Sequence, residues 1–331
     1  MKCGEATVVK NAGSHYLLAE LPSWNVFPAV LRGKIRLKAS EITNPIAVGD
    51  HVRYQWDDAT PGTSATPETP ASQEASGQGL QPQAVITEIL PRRNYVIRRS
   101  TNLSRQAHII AANVDRAYII VSLYFPEIKL PFLDRFLVTC ELYGIPATVV
   151  LSKTDLYRDL AQEEIENFRN IYESAGYPVI ETSVETGEGV DAIREACKGR
   201  VNLFSGESGV GKSSLIKSLD PSLDPKIGAI STDHLQGKHT TSLYEMYPLA
   251  SGGYVIDSPG LRGFGLVDVE KEEIGRYFPE MLRVADQCRF IPCTHTHEPG
   301  CAVKQAVEEG RISPERYNSY LGMLEEDKKF R

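Results

Sequence analysis

The chain has 331 residues, a formal net charge of −7, 41% hydrophobic residues and six cysteines. This length exceeds that of a typical single domain, so we expect two or three domains with buried cores. The acidic balance excludes a surface that binds nucleic acid indiscriminately but leaves room for local basic patches. No stretch is apolar enough to span a membrane and the first ten residues lack a signal-peptide core, so we expect a cytoplasmic protein with reduced thiols.

Residues 1–90 are predicted to form a small β-barrel domain, because short strands alternate with turns along them. Residues 60–83 are rich in Pro, Thr, Ser, Ala, Gly and Gln, which predicts a flexible insertion within this barrel. One strand, at 32–38, would place four basic side chains on one face. These side chains could contact the backbone of a nucleic acid. Equally, they could be charges on a solvated strand edge that prevent aggregation. The four side chains are Arg32, Lys34, Arg36 and Lys38.

Residues 91–116 form a basic segment, which we predict to be a linker. At its start, residues 91–99 contain four arginines, two on each side of Tyr95, a composition that suits phosphate and base contacts with RNA. The alternative is that these arginines pair with acidic neighbours across a domain boundary. They are Arg92, Arg93, Arg98 and Arg99.

From residue 117 onward, buried-strand patterns alternate with amphipathic helices, predicted at 131–143, 162–175 and 190–197. This alternation predicts an α/β domain over 117–275 with a mostly parallel, doubly wound sheet. Cys140 and Cys197 lie in the predicted helices and are most simply explained as core thiols.

A phosphate-binding loop is predicted at 206–213, between a strand at 201–204 and a helix that begins at Ser214. The pattern G-x-x-x-x-G-K-[ST] brings backbone N–H groups close to a polyphosphate. Lys212 would reach the outer phosphates, Ser213 would bind Mg²⁺, and the helix N-terminus would add its dipole. The motif is Gly206-Glu207-Ser208-Gly209-Val210-Gly211-Lys212-Ser213.

Three further motifs predict a guanine nucleotide. A strand that ends in D-x-x-G supplies Asp257, which can hold Mg²⁺ through water, and Gly260, whose N–H can sense the terminal phosphate. The run Ser152-Lys153-Thr154-Asp155 resembles the guanine-reading N-K-x-D motif, with Ser in place of the usual Asn, and the loop at Ser183 resembles its backing loop. A hydroxyl replaces only part of an amide's hydrogen bonding, so this Ser is expected to reduce guanine affinity.

The order of these motifs is unusual, because the base-reading motifs precede the phosphate motifs along the chain. The same sheet forms if the original termini are joined and a new break opens at an exposed loop. We therefore predict a circularly permuted GTPase domain.

A metal site is predicted near the C-terminus, where three cysteines and one histidine have the ligand types and count of a closed tetrahedral Zn²⁺ site. Such a site leaves no open position for a substrate and is therefore structural. His297 is a competing fourth ligand. We expect a zinc-binding, helical domain over 276–331, with short helices at 302–309 and 314–325. The preferred ligands are Cys288, Cys293, His295 and Cys301.

Together these motifs resemble the RsgA or YjeQ family of GTPases that depend on the small ribosomal subunit, over nearly the whole chain. The resemblance implies an OB-fold barrel, subunit-stimulated hydrolysis of GTP to GDP, and a role late in maturation of that subunit. We further expect a monomer that binds ribosomal RNA and no membrane. Besides the motifs above, the resemblance rests on Pro91-Arg92-Arg93-Asn94, Asn113-Val114-Asp115 and Gly237-Lys238-His239-Thr240-Thr241.

Catalysis is expected to depend on Lys212 and on positioning of the phosphates. Thr241, with Thr240 as the alternative, is the expected switch ligand of Mg²⁺. Leu261 follows Gly260 where Ras-like enzymes carry a water-orienting Gln, so intrinsic hydrolysis should be slow. By resemblance, His239 is the candidate that orients the water. An ATP-using P-loop enzyme and an RNA-binding scaffold that merely holds GTP are the alternative functions.

Overall fold

The computed structural model describes residues 3–12, 15–31, 45–56, 83–99, 107–223, 244–258 and 269–326. The predicted basic strand at 32–38 lies outside the described residues, as does all of the predicted insertion except Gln83. Across the ranges that are described, no helix combines the length and the apolar character that crossing a membrane requires.

The first five strands form a closed barrel. β1 pairs with both β2 and β4, while β5 pairs with β3 and β4, so the order β1-β2-β3-β5-β4 returns to β1. Alternate residues such as Val8, Leu18 and Ile86 fill its interior and are fully buried. This confirms the predicted OB-like barrel. The strands are β1 (Cys3–Ala12), β2 (His15–Glu20), β3 (Asn25–Leu31), β4 (His51–Trp56) and β5 (Ala84–Ile89).

The segment predicted as a basic linker contains two paired strands, β6 (Tyr95–Arg99) and β7 (Ala107–Ala112), which form an antiparallel sheet of their own. The ring of Tyr95 packs on that of Tyr143, with centroids 4.6 Å apart. This contact attaches the segment to the part of the chain that follows it.

Arg92 and Arg93 have acidic partners, as the alternative interpretation of this segment expected. Arg92 Nε lies 2.6 Å from Asp50 Oδ1, and its Nη2 lies 2.7 Å from Asp50 Oδ2. The Asp50 carboxylate is fully buried, so its charge needs the compensation that this bidentate pair with Arg92 supplies. Arg93 Nη2 donates to Asp115 Oδ1 at 2.6 Å. Arg92 therefore ties the segment to the barrel, whereas Arg93 pairs within the segment, with the residue just before the next strand.

The next six strands form the predicted doubly wound sheet, in the order β10-β9-β8-β11-β13-β12. The first five run parallel, and β12 is antiparallel at the end of the set. They are β8 (Arg116–Val121), β9 (Ala147–Ser152), β10 (Val179–Thr182), β11 (Val201–Gly206), β12 (Glu245–Pro248) and β13 (Tyr254–Asp257).

Helices cover both faces of this sheet, because successive strand residues point to opposite sides. Along β8, Ile119 packs with the cluster that includes helices α1 (Leu130–Leu142) and α2 (Gln162–Ala175). Its neighbour Ile120 packs with α3 (Val190–Cys197) and α4 (Lys212–Leu219). Cys140 on α1 and Cys197 on α3 are fully buried, which confirms that they are core thiols.

The barrel and the doubly wound sheet are joined through β12, which pairs with β1 of the barrel. The result is one continuous sheet of eleven strands. Trp24 of the barrel stacks on Tyr254 of β13 with ring centroids 5.5 Å apart. Val9 of the barrel and Met246 of β12 share one buried cluster. The barrel is thus packed on the edge of the nucleotide-binding sheet.

The C-terminal unit packs against α1. It comprises a 3₁₀ helix (Lys271–Tyr277) and helices α5 (Pro279–Ala285), α6 (Ala302–Glu308) and α7 (Pro314–Glu326). Val138 of α1 lies in the same buried cluster as residues of these helices.

A buried ionic network reinforces this contact. The guanidinium of Arg316 on α7 donates to Asp134 Oδ1 of α1 at 2.7 Å and to Glu280 Oε1 of α5 at 2.7 Å. Its Cζ atom also lies 4.6 Å from the centre of the Phe278 ring. Burial raises the pKa of Asp134 above its ordinary value, and the Arg316 guanidinium offsets only part of that rise. Since three helices converge on one guanidinium, this network fixes the docking of the C-terminal unit on the sheet domain.

Candidate active site and metal centre

The phosphate-binding loop connects β11 to α4, as its motif predicts. A Cβ atom on Gly206 would lie only 2.5 Å from the Ile120 carbonyl oxygen, so the loop can leave the sheet at this point only with glycine. Gly211 has a φ of 96°, a left-handed conformation that also favours glycine, just before α4 begins. The free N–H groups of the first turn of α4 are thereby directed at the loop.

The structure brings Lys212 and Asp257 together at the carboxyl ends of β11 and β13. The ammonium of Lys212 pairs with Asp257 Oδ1, and the two side chains are only 9% and 15% exposed. Ser213 is half-buried in the first turn of α4, and Ser214 is exposed beside it. An ammonium and a carboxylate therefore meet where the motifs predict phosphate and Mg²⁺, and Ser213 lies next to Lys212 in the chain.

The base-reading motif lies against the same loop. Ser152 Oγ is 2.5 Å from the Val210 carbonyl oxygen and 3.0 Å from that of Val121. A hydroxyl has one hydrogen to share between these acceptors, whereas the usual Asn amide has two. Lys153 Nζ donates to the carbonyl oxygens of Gly209 and Phe125, each at 2.6 Å. The end of β9 is thus fixed to the phosphate-binding loop.

Asp155 lies in a 3₁₀ turn (Thr154–Leu156) and is exposed, so a ligand can reach its carboxylate. Ser183 is fully buried, and its Oγ accepts a hydrogen bond from the Thr186 N–H at 3.1 Å. The Thr154 hydroxyl donates to the Thr182 carbonyl oxygen at 3.2 Å, which joins the two loops. Both predicted guanine loops therefore lie at the carboxyl ends of the neighbouring strands β9 and β10.

One residue beside the site was missed by the sequence analysis. Lys129, just before α1, places Nζ 3.1 Å from Oε1 of Glu207 in the phosphate-binding loop. No motif marks this lysine, because its proximity to Glu207 depends on a contact between positions 78 residues apart. Five residues to which the sequence analysis gave a role in binding or hydrolysing the nucleotide lie outside the described part of the chain: His239, Thr240, Thr241, Gly260 and Leu261.

The four predicted metal ligands converge on one point. Their ligand atoms all lie within 4.8 Å of one another. His295 Nδ1 is 3.6 Å from Cys288 Sγ and 3.4 Å from Cys301 Sγ. Burial lowers the pKa of His295 and so favours the neutral imidazole that metals bind, whereas burial raises the pKa of Cys293 to about 12. A thiolate at Cys293 therefore needs a cation beside it, and the set fits Zn²⁺.

The loop that carries these ligands is held by hydrogen bonds. Tyr317 and Tyr320 of α7 donate their hydroxyls to the carbonyl oxygens of His295 and Thr294, each at 2.6 Å. Burial alone would raise the pKa of Glu298, but hydrogen bonds from Thr294 and Thr296 outweigh it and lower the pKa to about 2. The competing ligand His297 is exposed, contacts the Thr296 hydroxyl at 2.9 Å and lies outside the group.

Fold and site together define a P-loop nucleotide-binding protein whose base-reading strands precede the phosphate-binding strand, that is, a circularly permuted GTPase. The family model described as RsgA GTPase matches residues 89–267. The chain belongs to this family and is a GTP-hydrolysing enzyme that uses a guanine nucleotide and Mg²⁺.

Similar proteins support the same assignment. The chain is 45% identical to a Bacteroides fragilis protein named small ribosomal subunit biogenesis GTPase RsgA, over 96% of each chain. The crystal structure of YjeQ from Thermotoga maritima is similar with a TM-score of 0.73 and 30% identity, over 98% of each chain. The structure of YloQ, described as a circularly permuted GTPase, has a TM-score of 0.68 and 27% identity, over 100% of this chain and 96% of the other.

Proposed function

We propose that this protein is a GTPase that binds the small ribosomal subunit and acts late in its maturation, with hydrolysis stimulated by the subunit. The observation that carries the proposal is the meeting of Lys212, Asp257 and the Ser152 to Asp155 motif around one phosphate-binding loop. The names of the relatives, which specify small ribosomal subunit biogenesis, support the choice of partner.

In this proposal the phosphates lie along residues 206–214, with the Lys212 ammonium on the outer phosphates. Ser213 and Thr241, with Thr240 as the alternative to Thr241, would hold Mg²⁺, and Asp257 would hold it through water. Bound there, Mg²⁺ supplies positive charge that offsets the charge developing on the transferred phosphoryl group. Because Lys212 and Asp257 are already in contact, both groups lie beside the loop to which the phosphates and Mg²⁺ are assigned.

The guanine base is assigned to the loops at the ends of β9 and β10. The exposed Asp155 carboxylate accepts hydrogen bonds from the ring N–H and the amino group of guanine. Lys153, fixed to the Gly209 carbonyl oxygen, packs along the base, and Ser183 supports the backing loop. This assignment favours a guanine nucleotide over ATP.

Hydrolysis is proposed to be slow until the subunit is bound. In this proposal Gly260 senses the terminal phosphate. The next residue is Leu261 where Ras-like enzymes carry a Gln, and a leucine cannot orient the attacking water. His239 is the proposed water-orienting residue, and the subunit would bring it into place.

One Zn²⁺ with a structural role is proposed for the C-terminal unit, because three thiols and one imidazole leave no open position for a substrate. Its proposed ligands are Cys288, Cys293, His295 and Cys301.

The proposed domain divisions are the barrel (residues 1–90), the segment at 91–116, the GTPase domain (117–275) and the zinc-binding domain (276–331). A barrel of this type commonly binds oligonucleotides, so ribosomal RNA is the proposed contact. We further propose that a monomer acts in the cytoplasm, where ribosomal subunits are assembled.

Co-sedimentation with purified small subunits tests this function against a scaffold that merely holds GTP. We expect the protein to pellet with subunits about tenfold more tightly with a non-hydrolysable GTP analogue than with GDP, since a switch must bind its partner differently in its two states. Equal affinity in the two nucleotide states would contradict the switch and favour the scaffold.

A further inference from the structure

A row of four charged side chains leads across the sheet from the barrel to the phosphate-binding loop, with a lysine at each end and two carboxylates between them. Lys10 of β1 is in register with Glu245 of β12, and Glu245 is in register with Asp257 of β13. Residues directly opposite each other in antiparallel strands project from the same face. Lys10 Nζ lies 2.9 Å from Glu245 Oε2, and Asp257 in turn pairs with Lys212.

The central members of this row are two carboxylates on neighbouring strands, which repel each other. Lys10 offsets the charge of Glu245, and Lys212 offsets that of Asp257. The Lys10 and Glu245 side chains are only 23% and 26% exposed, so salt screens their pair less than an exposed one. Without Lys10, the charge of Glu245 would add to that of Asp257 at the edge of the phosphate site.

We propose that Lys10 is a positioning residue for the nucleotide site, which acts by cancelling the charge of Glu245 beside Asp257. A net negative Mg·GTP complex binds more weakly where a carboxylate is left uncompensated, so Lys10 favours its binding without touching it. Because Lys10 belongs to the barrel, the placement of the barrel becomes a determinant of affinity for Mg·GTP. This inference rests on the assignment of phosphate and Mg²⁺ to Lys212 and Asp257.

Steady-state hydrolysis without subunits tests the inference, and fluorescence titration with labelled GTP in the presence of Mg²⁺ measures the same change as a Kd that does not depend on turnover. Lys10→Met is expected to raise KM for Mg·GTP about threefold to tenfold with kcat within about twofold, the scale of one partly screened charge within a Debye length. Lys10→Arg, which keeps the charge, should restore the wild-type KM. The double variant Lys10→Met/Glu245→Gln should also restore it, since no uncompensated carboxylate remains.

A purely structural role predicts a different result, because the pair between β1 and β12 stays broken in the double variant. A double variant whose KM remains as high as that of Lys10→Met would overturn the inference, as would a Lys10→Met variant with the wild-type KM. Arg53→Met is the matched control. Arg53 forms exposed ion pairs with Glu5 and with Glu88 within the barrel, and their loss should leave KM unchanged. Wild-type protein that binds no guanine nucleotide in the presence of Mg²⁺ would instead contradict the proposed function itself.

Discussion

Asp155→Asn is expected to lower the affinity for GTP by about 100-fold or more and to create measurable binding of xanthosine triphosphate. The carboxylate accepts two hydrogen bonds from guanine in our assignment, and each hydrogen bond to a charged group contributes about 1.5–3 kcal/mol. An Asn amide presents a donor to the guanine amino group, whereas xanthine has a carbonyl oxygen there that can accept it. Fluorescence titration with both labelled nucleotides measures the change.

Asp159→Asn provides the control for this prediction. Asp159 is an exposed carboxylate four residues further along, so its replacement removes the same charge from the same region. It should leave both affinities unchanged. Equal GTP binding by wild type and Asp155→Asn would show that Asp155 does not read the base, and the case for an ATP-using enzyme would then strengthen.

Removal of the metal by a strong chelator is expected to unfold the C-terminal unit. Structural zinc contributes about 10–16 kcal/mol of apparent binding free energy in small zinc-dependent units. The loop that carries the four predicted ligands contacts α7 through the hydroxyls of Tyr317 and Tyr320 and through the buried cluster around Cys288 and Cys301, and a bound metal would hold the loop itself together. Limited proteolysis should therefore begin to cleave within 276–331, while elemental analysis follows loss of one Zn²⁺ per chain.

Two variants show which side chains bind the metal. Cys301→Ser should lose zinc and become sensitive to protease in the same region. His297→Ala should keep both zinc and resistance, because His297 is exposed and lies outside the ligand group. Loss of zinc from His297→Ala with retention in His295→Ala would contradict the ligand set.

The parts of the site that follow from short sequence spacing were predictable. The phosphate-binding loop, the helices α2 and α3 and the group of three cysteines and one histidine that could hold a metal depend on glycine geometry, helical periodicity and residue spacing within short stretches. The permuted topology could also be predicted from the order of the motifs, because parallel strands bring their carboxyl ends, and the motifs that follow them, to one edge of the sheet.

Contacts between distant segments were not predictable in the same way. Arg92 and Arg93 looked suited to RNA by composition, but Arg92 pairs with Asp50 of the barrel and Arg93 pairs with Asp115, 22 residues further along the chain. Periodicity along one segment carries no information about which strand its edge will meet. The pairing of β1 with β12, and with it the contact between Lys10 and Glu245, became visible only in the folded chain.

Single-turnover GTP hydrolysis with and without purified small ribosomal subunits tests the central claim most directly. We expect slow hydrolysis by the free protein, since Leu261 cannot orient water, and stimulation by about 100-fold or more when subunits are added, the scale of general base catalysis. His239→Ala should bind GTP and subunits normally but lose most of the stimulation. An equal rate with and without subunits, for wild-type protein that binds both GTP and the subunit, would contradict the account of a ribosome-activated switch.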